Sequence, residues 1–103
     1  MNLKIESLNY RKKHRGVLEV KSRVKVNTGR DLELVYTPGV AFACQEIHKR
    51  KSEINKYTNK WNSVAIVTDG TAVLGLGDIG PEAALPVMEG KAVLFKVLAN
   101  VDA

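Results

Sequence analysis

The chain has 103 residues, of which 45% are hydrophobic and 26% charged, values typical of one small globular domain. No segment approaches the roughly 20 apolar residues that a membrane span requires, and the N-terminus lacks the apolar core of a signal peptide. The single cysteine, Cys44, excludes an internal disulfide and favours a reducing compartment, so we expect a cytoplasmic location and no membrane partner.

The net charge of +5 is unevenly distributed. Residues 1–60 carry 14 Lys or Arg and 6 Asp or Glu, whereas residues 61–103 carry 2 and 5. A basic segment can bind nucleic acid or another anion, and the densest basic run is Arg11–Arg15. Only one aromatic residue, Tyr10, flanks that run, and no nucleic-acid-binding motif accompanies it. We therefore favour a solvated helix end and expect no nucleic-acid partner.

The first half of the sequence predicts short helices joined by extended segments. Residues 4–15 form an amphipathic pattern that Gly16 ends, with Ile5 and Leu8 facing inward, and an extended arm follows to Val26. Residues 27–31 have the composition of a turn. We divide the domain into this helix and arm, 1–26, and a part that carries the candidate catalytic residues, 27–103.

Tyr36 lies on a stiff segment before the next helix. Pro38 restricts the residue before it to extended geometry, and Gly39 permits backbone conformations closed to other residues. A helix is predicted from about Val40 to Lys51, with Cys44 as an inert core thiol on its apolar face, and a further helical turn over residues 52–57. A lone tyrosine is more often a packing residue than a catalytic one.

The second half predicts a fold of the α/β class, a small sheet flanked by helices. The apolar run Val64–Val67 and the segment Thr71–Leu74 read as short strands. Residues 81–85 predict a helical turn that Pro86 interrupts. The segment from Met88 to Leu98 is apolar almost all round, which predicts a buried helix.

Gly75, Gly77 and Gly80 have the spacing of a dinucleotide-binding fingerprint. That motif requires a preceding strand and a long following helix. Pro86 falls inside this helix, where it lacks an N–H and clashes with the preceding turn at about 3 kcal/mol. We therefore interpret the glycines as a tight loop, either structural or in contact with a substrate, and expect no cofactor-binding residue here.

Lys91 stands at the start of the predicted apolar helix. A lysine desolvated by buried neighbours is more readily neutral and can then act as a general base. The alternative is a lysine whose amine reaches solvent past its apolar stem. His14 and His48 have no Cys or carboxylate at metal-ligand spacing, so no metal site is predicted.

Four blocks in order resemble the N-terminal domain of malic enzymes, especially the short bacterial type: Tyr36-Thr-Pro-Gly-Val40, Val67-Thr-Asp-Gly70, Leu74–Gly80 and Pro86–Lys96. The resemblance extends from about Gly16 to Ala103. It implies oxidation and decarboxylation of malate to pyruvate and carbon dioxide, with NAD or NADP and a divalent metal, Mg²⁺ or Mn²⁺.

The resemblance also implies roles for individual residues. Tyr36 matches the family's general acid, which protonates C3 of the enol intermediate, and Lys91 matches the general base on the C2 hydroxyl. Gly75, Gly77 and Asp78 match a loop beside the substrate, since the family's nucleotide fingerprint lies in a later domain. Longer members bind a malate carboxylate with an arginine at the position of Ala72, which leaves Arg30 or a residue outside this chain as the ligand.

The family's metal-binding carboxylates and its NAD(P)-binding domain follow the segment that this chain matches. We therefore expect the chain alone to be inactive and to bind no cofactor or metal, with malate and pyruvate as ligands of the full-length enzyme. We also expect a homo-oligomer, with exchange of elements between copies as one form. A non-catalytic oligomerisation or interaction module is the alternative.

Overall fold

The computed structural model describes residues 2–103, and the regular structure in that range is entirely helical. There are two 3₁₀ turns, Lys51–Glu53 and Asn59–Asn62, and they lie on either side of the short α-helix Ile54–Tyr57. The α-helices are α1 Leu3–His14, α2 Gly29–Val35, α3 Val40–Lys49, α4 Ile54–Tyr57 and α5 Gly80–Ala99. Among these described helices, none combines the length and apolar character needed to cross a bilayer.

The chain forms two compact units. Unit 1 consists of Met1–Glu19 and Val64–Ala103, and it contains α1, the glycine-rich loop and α5. Unit 2 is Val20–Ser63, with α2, α3 and α4. The sequence-based division into 1–26 and 27–103 stays a prediction.

Helix α1 confirms the predicted N-terminal helix but not its inward face. The Asn2 side chain accepts a hydrogen bond from the Lys4 N–H at 2.9 Å, which caps the helix. Arg15 at the C-cap and Gly16 both have positive φ, 56° and 96°, so the chain leaves the helix in the left-handed region. Ile5 and Leu8, predicted to face inward, are exposed.

Helix α2 replaces the turn that composition predicted over residues 27–31. The Thr28 hydroxyl accepts from the Asp31 N–H at 3.1 Å, and the Asp31 carboxylate accepts from the Thr28 N–H at 3.1 Å. This reciprocal pair is a capping box, which satisfies N–H groups that the first turn leaves free. The prediction was wrong because the turn residues themselves begin a helix.

Helix α3 confirms the prediction of a helix from Val40, although it ends at Lys49 rather than Lys51. Of its predicted apolar face, Ala43 and Ile47 are half-buried. Cys44 is exposed, so its interpretation as a core thiol was wrong. The helical turn predicted over 52–57 is present as the 3₁₀ turn and α4.

The predicted sheet is the main error in the fold, because residues 2–103 contain no β-strand. In the second predicted strand, Leu74 has a φ of 51°, which turns the chain instead of extending it. The Val73 N–H donates to the Gly77 carbonyl at 3.0 Å and so closes a turn. In the first predicted strand, the Val64 N–H donates to the Asp102 carbonyl at 2.9 Å, while Val67 is 87% exposed.

Helix α5 runs for 20 residues without a break at Pro86. The predicted interruption was wrong, since one missing N–H is tolerated within a long helix whose other hydrogen bonds persist. The helix is also less buried than its composition predicted. Only Ala84 and Ala92 are buried in it, and Leu98 is 79% exposed.

Candidate active site

Lys91 lies at the N-terminal end of an apolar groove on the surface of α5. The groove has a volume of about 340 Å³ and is lined by Lys91, Leu94, Phe95, Leu98 and Ala99. The spacing of these residues places them on one face of the helix. Lys91 is exposed, and so is Leu94. The described residues therefore place an amine beside an apolar surface, but they do not supply the buried neighbours that the sequence interpretation assigned to it.

The start of α5 is held by a backbone clasp between Gly70 and Gly80. The Gly70 carbonyl accepts from the N–H groups of Ile79 and Gly80, both at 3.1 Å. Gly70 is buried and has a φ of +73°, and a Cβ placed there would lie 2.0 Å from the Gly80 carbonyl oxygen. Only glycine fits this close approach. The clasp fixes where the loop ends and where the helix that carries Lys91 begins.

The predicted substrate loop lies between the two ends of that clasp. The turn closed by Val73 and Gly77 contains Gly75, and Asp78 follows it as an exposed residue. A Cβ at Gly75 or at Gly77 would meet nothing within 4 Å, so both glycines border open space. The loop and Lys91 thus belong to the same unit. The role of Gly75, Gly77 and Asp78 toward a substrate stays a prediction.

Asp69, just before the clasp, is a residue that the sequence interpretation did not single out. Its carboxylate accepts from the Thr71 hydroxyl at 2.8 Å and from the Thr71 N–H at 3.1 Å. These bonds, the hydroxyl first, hold the pKa of Asp69 below its ordinary value. The Asp-Gly-Thr sequence is the signal that predicts this side-chain turn.

Tyr36 lies in unit 2, between α2 and α3. Its N–H donates to the Leu32 carbonyl at 2.9 Å, and its carbonyl accepts from the Val40 N–H at 2.7 Å. Both backbone groups are thus fixed, while the side chain is 66% exposed. Gly39 follows, where a Cβ would lie 2.5 Å from the Glu33 carbonyl oxygen, so the prediction of a sharply turned segment is confirmed.

Comparison with known proteins gives a match to the family model "Malic enzyme, N-terminal domain" over residues 13–103. The chain belongs to the malic enzyme family. A bifunctional malic/malolactic enzyme of Bacillus subtilis is 60% identical over 103 residues, which are 100% of this chain and 25% of that protein. An NAD-dependent malic enzyme of Geobacillus stearothermophilus is 58% identical over 88 residues, 85% of this chain and 18% of that protein.

The structural comparison agrees. The crystal structure of a malic enzyme from Pyrococcus horikoshii matches with a TM-score of 0.96 and 46% identity, covering 99% of this chain and 24% of that one. The resemblance read from the sequence is therefore confirmed at the level of the family. The chain spans between 11% and 25% of the length of the curated relatives it matches.

The described part of this malic enzyme domain offers no fit for the metal or the dinucleotide of the family. In residues 2–103 no three or more His, Cys, Asp or Glu side chains are grouped so as to hold a metal ion. The glycine loop has its following helix, contrary to the argument from Pro86, but it has no preceding strand. A dinucleotide fingerprint requires both.

Ala72, at the position where the resemblance implies an arginine in longer malic enzymes, is an exposed residue of the clasped loop. Arg30, the candidate substitute, lies in α2 of unit 2. Its Nη1 is 3.2 Å from the Glu33 Oε2, an exposed ion pair one turn along the helix. Arg30 is therefore already engaged by a carboxylate of its own helix, and its role toward malate stays a prediction.

Proposed function

We propose that, in the full-length protein, this chain supplies the general base and the general acid for the oxidative decarboxylation of malate to pyruvate and carbon dioxide. The family match over residues 13–103 carries the proposal. It is supported by the exposed amine of Lys91 beside an open groove and by the exposed phenol of Tyr36 on a fixed backbone. Both groups are thus accessible to a ligand.

Lys91 acts on the C2 hydroxyl of malate. Oxidation at C2 requires that the hydroxyl proton leave as the carbonyl forms, and the neutral Nζ of Lys91 accepts it. A lysine is suited to this task because its amine can be shifted toward the neutral form when a bound substrate and apolar neighbours displace water. The groove beside Lys91 provides one apolar wall for that purpose.

Tyr36 acts after carbon dioxide has left. The resulting enol of pyruvate needs a proton at C3, and the Tyr36 hydroxyl donates it. The donor then regains a proton from solvent, to which its side chain is open. The base removes a proton from the C2 hydroxyl and the acid delivers one to C3, so we assign the two proton transfers to separate groups.

The cofactor is a nicotinamide dinucleotide, and relatives of this chain include both NAD-dependent and NADP-dependent malic enzymes. We propose NAD or NADP, with Mg²⁺ or Mn²⁺, for the full-length protein. We further propose that the 103 residues alone do not turn over malate, since they span at most 25% of the length of their curated relatives. Robust NAD(P)H formation from malate by the isolated chain would contradict this.

The test of the roles is mutagenesis in the full-length protein, with malate-dependent formation of NAD(P)H in the presence of Mn²⁺ as the readout. Lys91→Ala abolishes the reaction, whereas Lys60→Ala, which removes an exposed lysine of unit 2, leaves it unchanged. Tyr36→Phe slows pyruvate formation and retains part of the oxidation step, and Tyr57→Phe is its control. Near-normal turnover by both Lys91→Ala and Tyr36→Phe overturns the assignment.

Self-association is a second, compatible proposal. Leu94 and Leu98 on the groove face of α5 are 57% and 79% exposed, and contiguous apolar surface of this kind is commonly covered by a partner. We propose a homo-oligomer, including one in which copies exchange an element. Light scattering over a concentration series tests it, and a monomer at every concentration contradicts it.

A further inference from the structure

Tyr36 begins the short connection between α2 and α3, and its backbone is bonded to both helices. The Tyr36 N–H donates to the carbonyl of Leu32 in α2 at 2.9 Å. The N–H of Val40, the first residue of α3, donates to the Tyr36 carbonyl at 2.7 Å. A change in the distance between the end of α2 and the start of α3 therefore moves the tyrosine that we propose as the general acid.

Gly39 is the residue at which these two helix ends touch. Its N–H donates to the Glu33 carbonyl at 2.9 Å. A Cβ on Gly39 would lie 2.5 Å from that same carbonyl oxygen and 3.3 Å from the Leu34 Cα. The φ and ψ of Gly39 are −59° and −35°, ordinary helical values that any residue adopts. Glycine is therefore required here by the space between the helices and not by the backbone angles.

A side chain at this position has no way to avoid the contact. Both atoms that the Cβ would meet belong to the backbone of α2, so no rotamer change can relieve the overlap. The end of α2 and the start of α3 would have to separate, and Tyr36, bonded to both, would move with them. A general acid must stay within hydrogen-bond reach of the atom that it protonates, so such a shift acts directly on the proton transfer.

We propose that Gly39 is a positioning residue for the protonation of C3. It allows α2 and α3 to meet at backbone contact distance, and this contact determines where the Tyr36 hydroxyl stands. The inference rests on the proposed role of Tyr36 as general acid. Gly39 has no side chain that could touch the reacting atoms, and it acts through the backbone of Tyr36.

The experiment measures the exchange of the methyl protons of pyruvate with D₂O in the full-length protein, followed by NMR with Mg²⁺. This exchange is the reverse of the protonation of C3. The C3–H bond breaks, its proton goes to the Tyr36 oxygen, and its electron pair forms the C2=C3 bond of the enolate. The Tyr36 hydroxyl exchanges with solvent, and a deuteron then returns from it to C3. The second readout is the first turnover of NAD(P)H formation from malate, because oxidation at C2 precedes the transfer at C3.

Gly39→Ala should lower the exchange rate about 10- to 100-fold, since a misplacement of about 1 Å can cost about 100-fold. It should leave the first turnover of NAD(P)H formation within about twofold of the unmodified protein, because that step does not use Tyr36. Gly29→Ala is the matched control. It makes the same change in α2 of the same unit, where a Cβ would meet nothing within 4 Å, and it should leave both rates unchanged.

The two readouts separate positioning from a merely structural role. A contact that only stabilises the fold would, when broken, reduce the amount of active protein and lower both rates in the same proportion. That result overturns the proposal. Equal exchange rates in Gly39→Ala and Gly29→Ala overturn it as well.

If Gly39→Ala does not fold, a second variant replaces Gly39 with glycolic acid. The ester oxygen then stands in place of the N–H and cannot donate to the Glu33 carbonyl, while no Cβ is added. Loss of this one hydrogen bond should slow the exchange about threefold and leave the first turnover unchanged. An exchange rate equal to that of the unmodified protein overturns the proposal.

The proposed function can fail independently. If Tyr36→Phe exchanges the methyl protons at the rate of the unmodified protein, the assignment of the acid is wrong, whatever the Gly39 variants show. If Tyr36→Phe loses the exchange and Gly39→Ala retains it, the acid stands and the role of Gly39 is wrong.

Discussion

The contacts that stabilise unit 1 internally differ in kind from those that stabilise unit 2 internally. All three buried apolar side chains among the described residues, Val73, Ala84 and Ala92, lie in unit 1. Unit 1 also contains the clasp in which Gly70 and Gly80 approach too closely for any side chain. In unit 2, none of residues 20–63 is buried.

Besides the contacts of Arg23 with Asn59 at 3.1 Å and with the Trp61 ring, unit 2 has interactions between near neighbours in sequence. These are the capping box of Thr28 and Asp31 and exposed ion pairs three residues apart, such as Lys49 with Glu46 at 3.0 Å. Exposed pairs of this kind contribute little to stability. The comparison teaches that the helix of the proposed base is held by a close backbone contact and by buried apolar side chains, whereas the proposed acid lies between helix ends held by local hydrogen bonds.

Breaking the clasp of unit 1 has the largest expected effect. Gly70→Ala puts a Cβ 2.0 Å from the Gly80 carbonyl oxygen at a φ of +73°, and both atoms are backbone-bound and cannot move aside. We expect a loss of about 3–5 kcal/mol in the free energy of unfolding, measured by urea denaturation.

Gly75→Ala is the matched control, because its Cβ would meet nothing within 4 Å and its φ is not in the left-handed region. It should change the free energy of unfolding by less than about 0.5 kcal/mol. Equal losses in the two variants would show that the loop as a whole, and not the clasp, holds the start of α5.

Breaking the cap of unit 2 has a smaller expected effect. Thr28→Ala removes the oxygen that accepts from the Asp31 N–H, and loss of such a cap is worth about 1 kcal/mol. Thr28→Ser retains the oxygen and should be close to neutral. Helicity measured by circular dichroism checks both, and an unchanged signal in Thr28→Ala would contradict the account of unit 2.

The smallest expected effect is a pH dependence of the same helix end. The N–H of Asn27, followed by groups of Thr28, holds the pKa of Asp31 below its ordinary value. Because the folded pKa is depressed, this contribution to stability is present above the ordinary pKa of 3.8 and is lost as pH falls through the lowered one. The amide signals of Asn27 and Thr28 should shift over that acidic range, and Asp31→Asn should abolish the shift.

The sequence allowed α3 to be predicted from its apolar periodicity and α1 from the glycine that follows its end, although the apolar face predicted for α1 is exposed. It also contained the signal for α2, Thr28 followed three residues later by an acid, which the turn composition of residues 27–31 obscured. The strands could not be predicted correctly from an apolar run alone, because a strand depends on partners that hydrogen-bond to it. In residues 2–103, Val64–Val67 has one such bond.

The candidate site was predictable in part. The motifs around Tyr36 and Lys91 identified the family, and the turned segment at Gly39 followed from the sequence. The exposure of Lys91 agrees with the alternative drawn from the sequence, a lysine whose amine reaches solvent, and not with the buried helix that the apolar composition suggested. No local sequence pattern predicts the Gly70 clasp or the contact of Arg11 with Glu89, because both join residues that are not neighbours in sequence.

Chemical rescue of Lys91→Ala in the full-length protein tests the central claim most directly. Removal of a general base should lower kcat for malate oxidation by about 100- to 10,000-fold. Small primary amines added to this variant should restore part of the rate, and more basic amines should restore more. The same amines should not affect Lys60→Ala. A Lys91→Ala variant that keeps near-normal turnover without added amine would contradict the claim.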